Sequence, residues 1–201
     1  MKLILSKIKT YFGKLDKLLL FMCIGIAFFA VFIQYTLYEN DISSAVTASQ
    51  YKTQIIAFIA GIVIAMALAA INYKYLAKLW FIYVPLAMGL TLLLFTPLGI
   101  QREGADDIGW LDLGIMTIQP SEILKLAFIL SLAVHLSKVE DRMNEPIHFI
   151  LLCIHGAVPT LLIRQTGDDG SALVFLFIFI CMMFAAGLSW KYLVMIAGGL
   201  S

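Results

Sequence analysis

Residues 18–38 read LLLFMCIGIAFFAVFIQYTLY, a run of 21 residues without a charged side chain. About 20 consecutive apolar residues are enough for an α-helix to cross the hydrocarbon core of a bilayer. The run is continuous and lacks the alternation of polar and apolar residues that is typical of barrel strands. This segment therefore predicts a membrane-spanning helix.

The composition of the whole chain agrees with a membrane protein. Of its 201 residues, 62% are hydrophobic and 13% are charged, whereas soluble domains have about 45–50% and about 25%. Much of the surface must therefore be solvated by lipid. The net charge of +1 argues against a nucleic-acid partner.

Further apolar stretches predict more spans. A last run begins at Tyr192 and stops at Ser201, which is too short to cross a bilayer as a helix. The predicted fold is all-α, a polytopic transmembrane helix bundle with six complete spans and the start of a seventh. Residues 1–201 are predicted to be one membrane domain, part of a longer protein. The predicted spans are 18–38, 53–71, 79–97, 120–136, 148–163 and 171–189.

The positions of lysine and arginine predict that the N-terminus lies in the cytoplasm. With this orientation the outer segments carry only Lys52, Arg102 and Arg164. Basic residues are enriched in cytoplasmic segments, and the inner segments here hold Lys2, Lys7, Lys9, Lys14, Lys17, Lys74, Lys78, Lys138, Arg142 and Lys191. The longest loop, about residues 98–118, then faces outward, and such loops often carry functional sites.

Gln119-Pro120-Ser121-Glu122, followed by Lys125, opens the fourth predicted span. Pro120 suits the first turn of a helix, which makes Gln119 the N-cap. In one interpretation Glu122 completes a capping box and Lys125, one turn deeper, neutralises it. In the other, the pair lines a cavity, because a charge near the centre of a span costs about 2.5–3.5 kcal/mol and usually faces a partner or pathway. Both interpretations can hold together.

Gly167-Asp168-Asp169-Gly170-Ser171 lies at the outer end of the sixth predicted span. Two glycines around two acids predict a tight turn, in which either aspartate could N-cap the following helix. The alternative is a polar site whose carboxylates suit a hard divalent cation. Two adjacent acids are weak evidence for a metal, so the sequence identifies no metal site and no cofactor.

Trp110 lies within the longest loop and is either an interfacial anchor or part of an outer site. His135, His148 and His155 have no spacing typical of a metal site or a catalytic pair. His148 and His155 are seven residues apart and could share one helix face. Each histidine is predicted to be packed or interfacial.

Four segments together resemble the SEDS family, which includes RodA, FtsW and SpoVE. GWLDLG at residues 109–114 and QPSEILKL at 119–126 resemble the family signature "RWLxLG…QPSExxKL". GDDGSALV at 167–174 is similar to "QPDLGTALV", and GLSWKYL at 187–193 is similar to "GLSWRYL". The order and spacing agree, and the resemblance covers essentially the whole chain.

The sequence departs from the family pattern at two places. Gly109 stands where the family has a basic residue before the tryptophan. The QPD triplet reads Thr166-Gly167-Asp168, and Asp169 occupies a position where Leu or Phe is usual. Both departures lie at the outer surface and leave the helical framework intact.

The resemblance implies a bacterial cytoplasmic-membrane protein that polymerises lipid II into glycan strands beside a class B penicillin-binding protein, a transpeptidase. The family's catalytic aspartate lies in a large outer loop after span 7, beyond this chain, so no residue here receives a catalytic role. By resemblance, the substrate cavity involves Glu122, Lys125, Asp168, Gln119, Ser121 and Trp110.

Two other functions fit the same residues. A flippase for the lipid-linked precursor would also use a charged pair in a membrane cavity. A non-enzymatic scaffold for wall-synthesis partners, or a truncated remnant of the enzyme, would need none of this chemistry. The length of the product formed from lipid II separates the polymerase from the flippase.

Overall fold

The computed structural model describes residues 16–40, 47–71, 73–102, 104–114 and 117–189. The predicted seventh run from Tyr192 lies outside the described residues, as do the lysines before Asp16. The chain divides into two units, Met1–Asn72 and Tyr73–Ser201. The described part is mostly helical, as predicted. That all 201 residues form one membrane domain stays a prediction.

The first unit contains two long helices, α1 (Lys17–Glu39) and α2 (Ala48–Ala70), which pack against each other. The Asp16 carboxylate caps α1 by accepting a backbone hydrogen bond of 3.0 Å from its first turn. A capping box starts α2, with Gln50 N donating to Thr47 Oγ1 at 3.3 Å and Thr47 N donating to Gln50 Oε1 at 2.8 Å. Neither helix buries a side chain, which suits helices that lipid surrounds.

The described part of the second unit contains one short helix and four longer ones. α5 packs against α4, α6 and α7 and so lies at the centre. Leu132 of α5 and Phe175 and Met183 of α7 are fully buried. In chain order the helices are α3 (Tyr73–Lys78), α4 (Trp80–Leu92, followed by a 3₁₀ turn at Leu93–Phe95), α5 (Pro120–Lys138, followed by a 3₁₀ turn at Glu140–Arg142), α6 (Pro146–Gln165) and α7 (Asp169–Ala185).

The membrane-spanning helices agree with the predicted spans in outline. Within the described ranges, four helices are long and apolar enough to cross a membrane, namely α1, α2, α5 and α6. The third and sixth predicted spans form shorter apolar helices, Trp80–Phe95 and Asp169–Ala185. The class of helical membrane protein is confirmed, and the count of six spans stays a prediction.

A three-stranded antiparallel sheet forms within the loop at residues 98–118, which is named the outer loop after its predicted orientation. Its strands are β1 (Gly99–Ile100), β2 (Trp110–Asp112) and β3 (Thr117–Ile118), in that spatial order. Leu111 is central, because it pairs with Gly99 on one side and Ile118 on the other and is fully buried. The all-α prediction needs this correction, since strands of two or three residues are too short to show an alternating pattern.

The contact between α6 and α7 depends on a glycine. A Cβ atom at Gly156 would lie 2.6 Å from Cδ2 of Phe179, closer than Cβ atoms approach ring carbons in proteins. Phe179 is itself buried. Small residues allow neighbouring transmembrane helices to approach this closely.

Gly156→Ala is therefore expected to lower the free energy of unfolding by about 1–3 kcal/mol, because the added methyl group overpacks the contact. Thermal unfolding of the purified protein in detergent measures the change. Gly89→Ala in α4 is the matched control, since a Cβ there would meet nothing within 4 Å. An unchanged unfolding midpoint for Gly156→Ala would contradict the close packing of α6 and α7.

Candidate functional site

Helix α5 begins directly after strand β3, so the outer sheet sets the position of its first turn. Gln119 is the N-cap with an extended backbone (φ −105°, ψ 104°), and Pro120 opens the helix, as predicted. The Gln119 side chain makes no capping hydrogen bond. Glu122 forms no capping box with Gln119, and its carboxylate accepts a hydrogen bond from Lys125. The capping-box interpretation is wrong, and the mutual neutralisation of Glu122 and Lys125 is confirmed.

The two charges of this pair differ in their exposure. Lys125 Nζ lies 2.6 Å from Glu122 Oε1, and the lysine side chain is 18% exposed whereas the glutamate is 60% exposed. The ammonium group is thus the sheltered partner. A sheltered charge is costly unless a counter-ion lies beside it, and the Glu122 carboxylate is that counter-ion. That the pair lines a wet cavity stays a prediction.

Ser121 lies between Pro120 and Glu122 and is 3% exposed. Its hydroxyl has no hydrogen-bond partner among the residues that the structure describes. A buried polar group without a partner costs on the order of 1–3 kcal/mol. The hydroxyl is therefore available to a group from outside the described chain, at the same helix start as the charged pair.

Trp110 lies on β2, and Arg102 covers its ring. The guanidinium carbon of Arg102 is 3.4 Å from the ring centroid, and Nη2 donates to Thr117 Oγ1 at 3.4 Å. A guanidinium over an indole face forms a favourable cation–π contact. Arg102 was not among the residues predicted for the site. A side chain at Gly109 would meet the Asp107 carboxylate, and the basic group over the tryptophan belongs to Arg102.

Asp168 caps helix α7. Its Oδ1 accepts a hydrogen bond from Ser171 N at 2.7 Å, which confirms the N-cap interpretation for this residue. Asp169 instead faces Arg164, with Oδ1 3.6 Å from Nε and both side chains mostly exposed. In the described segments, no three His, Cys, Asp or Glu side chains are grouped so that they could hold a metal ion.

The turn before α7 contacts the outer loop. Ile108 N donates to Thr166 O at 2.9 Å. Gly167 has a φ of +88°, a conformation that favours glycine, and a Cβ there would lie 3.3 Å from Asp107 Cα. The glycine is therefore required both by its own backbone and by the neighbouring loop.

The structure brings three of the sequence motifs to one end of the second unit. They are the motifs that contain Trp110, Gln119 and Gly167. The loop that contacts Gly167 continues into Trp110 on β2, β2 pairs with β3, and β3 leads into Gln119. The assembly depends on pairing between segments that no single motif contains. As far as the chain is described, no hydrogen bond or ion pair joins Asp168 to the Glu122–Lys125 pair.

Ser131, His135 and His155 form a polar cluster that was not predicted from the sequence. His135 Nδ1 lies 3.1 Å from His155 Nδ1, and His155 Nε2 lies 3.0 Å from Ser131 Oγ. The two rings stack with their centroids 5.3 Å apart. His148, which could share a face with His155, lies 3.6 Å from the Glu145 carboxylate. The available signal was the four-residue spacing of Ser131 and His135, which places both on one face of α5.

These features define a helical membrane protein whose outer sheet leads into a Gln-Pro-Ser-Glu helix start. The family model for FtsW, RodA and SpoVE, described as "Cell cycle protein", matches residues 14–201. The match covers nearly the whole chain, and the protein belongs to the FtsW/RodA/SpoVE family. The predicted SEDS resemblance is confirmed.

Two relatives are similar over most of this chain. The "Probable peptidoglycan glycosyltransferase FtsW" of Trichlorobacter lovleyi is 30% identical over 188 residues, which are 86% of this chain and 46% of that protein. The "Peptidoglycan glycosyltransferase MrdB" of Escherichia coli is 26% identical over 188 residues, 91% of this chain and 47% of that protein. The chain therefore spans about half the length of the relatives it matches.

A solved structure shows the same fold. One chain of a peptidoglycan synthase complex, described for its structural coordination of polymerization and crosslinking, aligns with a TM-score of 0.71 and 23% identity. The alignment covers 90% of this chain and 51% of that chain. The similarity thus extends over most of this chain and about half of the solved chain.

Proposed function

We propose that this chain is the N-terminal part of a peptidoglycan glycosyltransferase that polymerises lipid II into glycan strands. The family match over residues 14–201 carries the proposal. The names of the two relatives state a glycosyltransferase activity for those proteins. The catalytic aspartate of the proposed enzyme lies after residue 201, in an outer loop, and this chain supplies part of its surroundings.

The chemistry of glycosyl transfer explains a role for Lys125. A hydroxyl of the acceptor sugar forms a bond to the anomeric carbon of the donor, and the bond from that carbon to the lipid diphosphate breaks. A general base removes the proton of the hydroxyl, and negative charge develops on the departing diphosphate. A fixed cation near that charge stabilises the transition state. Lys125 is such a cation, since it is sheltered and held by Glu122 at 2.6 Å.

The other site residues divide into two roles in this proposal. The unused hydroxyl of Ser121 and the side chain of Gln119, which does not cap α5, are assigned to hydrogen bonds with the sugar or diphosphate. Trp110, with Arg102 over its ring, forms an aromatic and cationic wall at the outer sheet. Asp168 is a positioning residue, because its carboxylate caps α7.

The proposed enzyme lies in the bacterial cytoplasmic membrane with its N-terminus in the cytoplasm. Six of its spans belong to this chain, and the outer sheet faces the side on which glycan strands are made. Its proposed partner is a class B penicillin-binding protein that crosslinks these strands. Lipid II and membrane lipids are its proposed small-molecule ligands.

Single-cysteine labelling tests the orientation. In a variant without Cys23, Cys153 and Cys181, Asp112→Cys is expected to react with a membrane-impermeant maleimide in intact spheroplasts, because β2 faces outward. Asp141→Cys, in the 3₁₀ turn after α5, is expected to react only after permeabilisation. The reverse pattern would place the N-terminus outside the cell. The start of α5 would then lie on the cytoplasmic side, which would contradict a site that faces outward there.

Reconstitution of the full-length parent in liposomes with labelled lipid II tests the activity. The expected product is a ladder of glycan strands on a gel, formed without any other polymerase. A flippase for the lipid-linked precursor would move lipid II across the bilayer without lengthening it. A scaffold or a truncated remnant would do neither. Transport without strand growth, or no reaction at all, would overturn the polymerase proposal.

A further inference from the structure

A groove between α4, α5 and α6 contains the polar cluster described above. One cavity of about 410 Å³ and another of about 230 Å³ meet at this cluster, because Ser131, His135 and His155 line both. Trp80 and Lys138 line the smaller cavity only. The larger cavity is mainly apolar, with walls that include Val84, Met88, Leu151, Ile154 and Val158.

The hydrogen bonds of the cluster can run in either of two directions. If the Ser131 hydroxyl donates to Phe128 O at 3.1 Å, then His155 donates to Ser131, His135 donates to His155, and Nε2 of His135 is bare. If the hydroxyl instead donates to His155 Nε2, His155 donates from Nδ1 to Nδ1 of His135. Nε2 of His135 then carries a proton. A hydrogen-bond acceptor beside His135 Nε2 selects the second direction.

Lys138 is the last residue of α5, where a membrane-spanning helix would reach the headgroup region. It follows His135 by three residues, which is about 4.5 Å along the helix, and its Nζ lies 5.7 Å from the centre of the Trp80 ring. Tryptophan and lysine are typical of membrane interfaces. The nearby Glu145 carboxylate faces His148 and lines neither cavity. The groove thus has a basic end at Lys138 and an apolar remainder.

We propose that this groove binds one anionic phospholipid, with its phosphate between Lys138 and His135 and an acyl chain along the apolar cavity. The phosphodiester accepts hydrogen bonds, so it suits the direction of the cluster in which His135 donates from Nε2. Lys138 attracts its negative charge. A zwitterionic lipid offers the same phosphate but adds a cation, which Lys138 repels. With the proposed orientation, the lipid belongs to the cytoplasmic leaflet.

Quenching of Trp80 fluorescence by brominated lipids tests this proposal. The variant Trp110→Phe/Trp190→Phe leaves Trp80 as the sole emitter and is reconstituted in phosphatidylcholine nanodiscs. Brominated phosphatidylglycerol is expected to quench at a mole fraction in the nanodisc about tenfold lower than that needed for brominated phosphatidylcholine. Lys138→Gln is expected to remove most of this preference. His135→Phe is expected to weaken quenching by both lipids, because both carry the phosphate that His135 binds. Lys78→Gln, which changes an exposed lysine of α3 outside the groove lining, is expected to keep the preference.

Three results would overturn the proposal. Equal quenching by the two lipids would indicate ordinary boundary lipid. A preference that survives Lys138→Gln would place the anionic lipid elsewhere. Quenching by neither lipid would mean that protein covers the groove, for instance another segment of the full-length parent. None of these results depends on polymerase activity, so the lipid site and the proposed function fail separately.

Discussion

Lys125→Ala in the full-length parent is expected to reduce lipid II polymerisation by about 10²–10³-fold, the effect of removing one donor that stabilises developing charge in an enzyme site. The variant is expected to insert into the membrane, because the remaining Glu122 side chain is 60% exposed and its charge can be solvated. The rate of strand formation from lipid II in liposomes measures the loss.

A double variant separates catalysis from charge balance. Lys125→Ala leaves Glu122 without its counter-ion, whereas Glu122→Gln/Lys125→Gln removes both charges and leaves neither unpaired. The double variant is expected to unfold near the wild-type midpoint and to stay inactive. If it regained polymerisation, Lys125 would serve only to neutralise Glu122, and its proposed role at the diphosphate would be wrong. Lys78→Ala controls for the loss of a lysine elsewhere.

Gly167→Val is expected to destabilise the protein by about 3 kcal/mol, which combines two costs. A φ of +88° costs a residue with a Cβ about 1–2 kcal/mol. The Cβ would also lie 3.3 Å from Asp107 Cα, and moving a packed backbone costs about 1–3 kcal/mol. Thermal unfolding in detergent measures the total. In the parent, activity is expected to fall as well, because the outer loop loses its contact with the turn.

Gly104→Val is the matched control for this change. Gly104 has a similar φ of +79°, but a Cβ there would meet nothing within 4 Å. It should therefore carry the cost of the left-handed backbone and no cost of contact. The difference between the two variants isolates the contact between the Gly167 turn and the outer loop. Equal losses would show that this contact contributes nothing to stability.

The helices were predictable because lipid imposes a length on them. The apolar run at residues 18–38 corresponds to α1 (Lys17–Glu39), and the Pro120 signal locates the first residue of α5. A spanning helix satisfies its backbone within itself, so its position follows from a local count of apolar residues. The same reasoning identified Asp168 as one of two candidate caps for α7, since capping involves only neighbouring residues.

Contacts between distant segments were not predictable in this way. Arg102 covers Trp110 because β1 and β2 pair and bring the loop back over the indole ring. His135 and His155 meet because two helices pack side by side. No spacing along the chain encodes either contact, and the short strands leave no alternating pattern.

The sequence by itself therefore determined that lipid surrounds much of this protein, where its helices approximately end and to which family it belongs. Each of these depends on interactions within about one helix length, which the order of residues records directly. Tertiary structure alone decided that the Gly167 turn supports the outer loop, that Arg102 covers Trp110, and that a polar cluster lies in an apolar groove. These features arise where helices and strands remote in sequence come together, because packing selects which of their side chains meet.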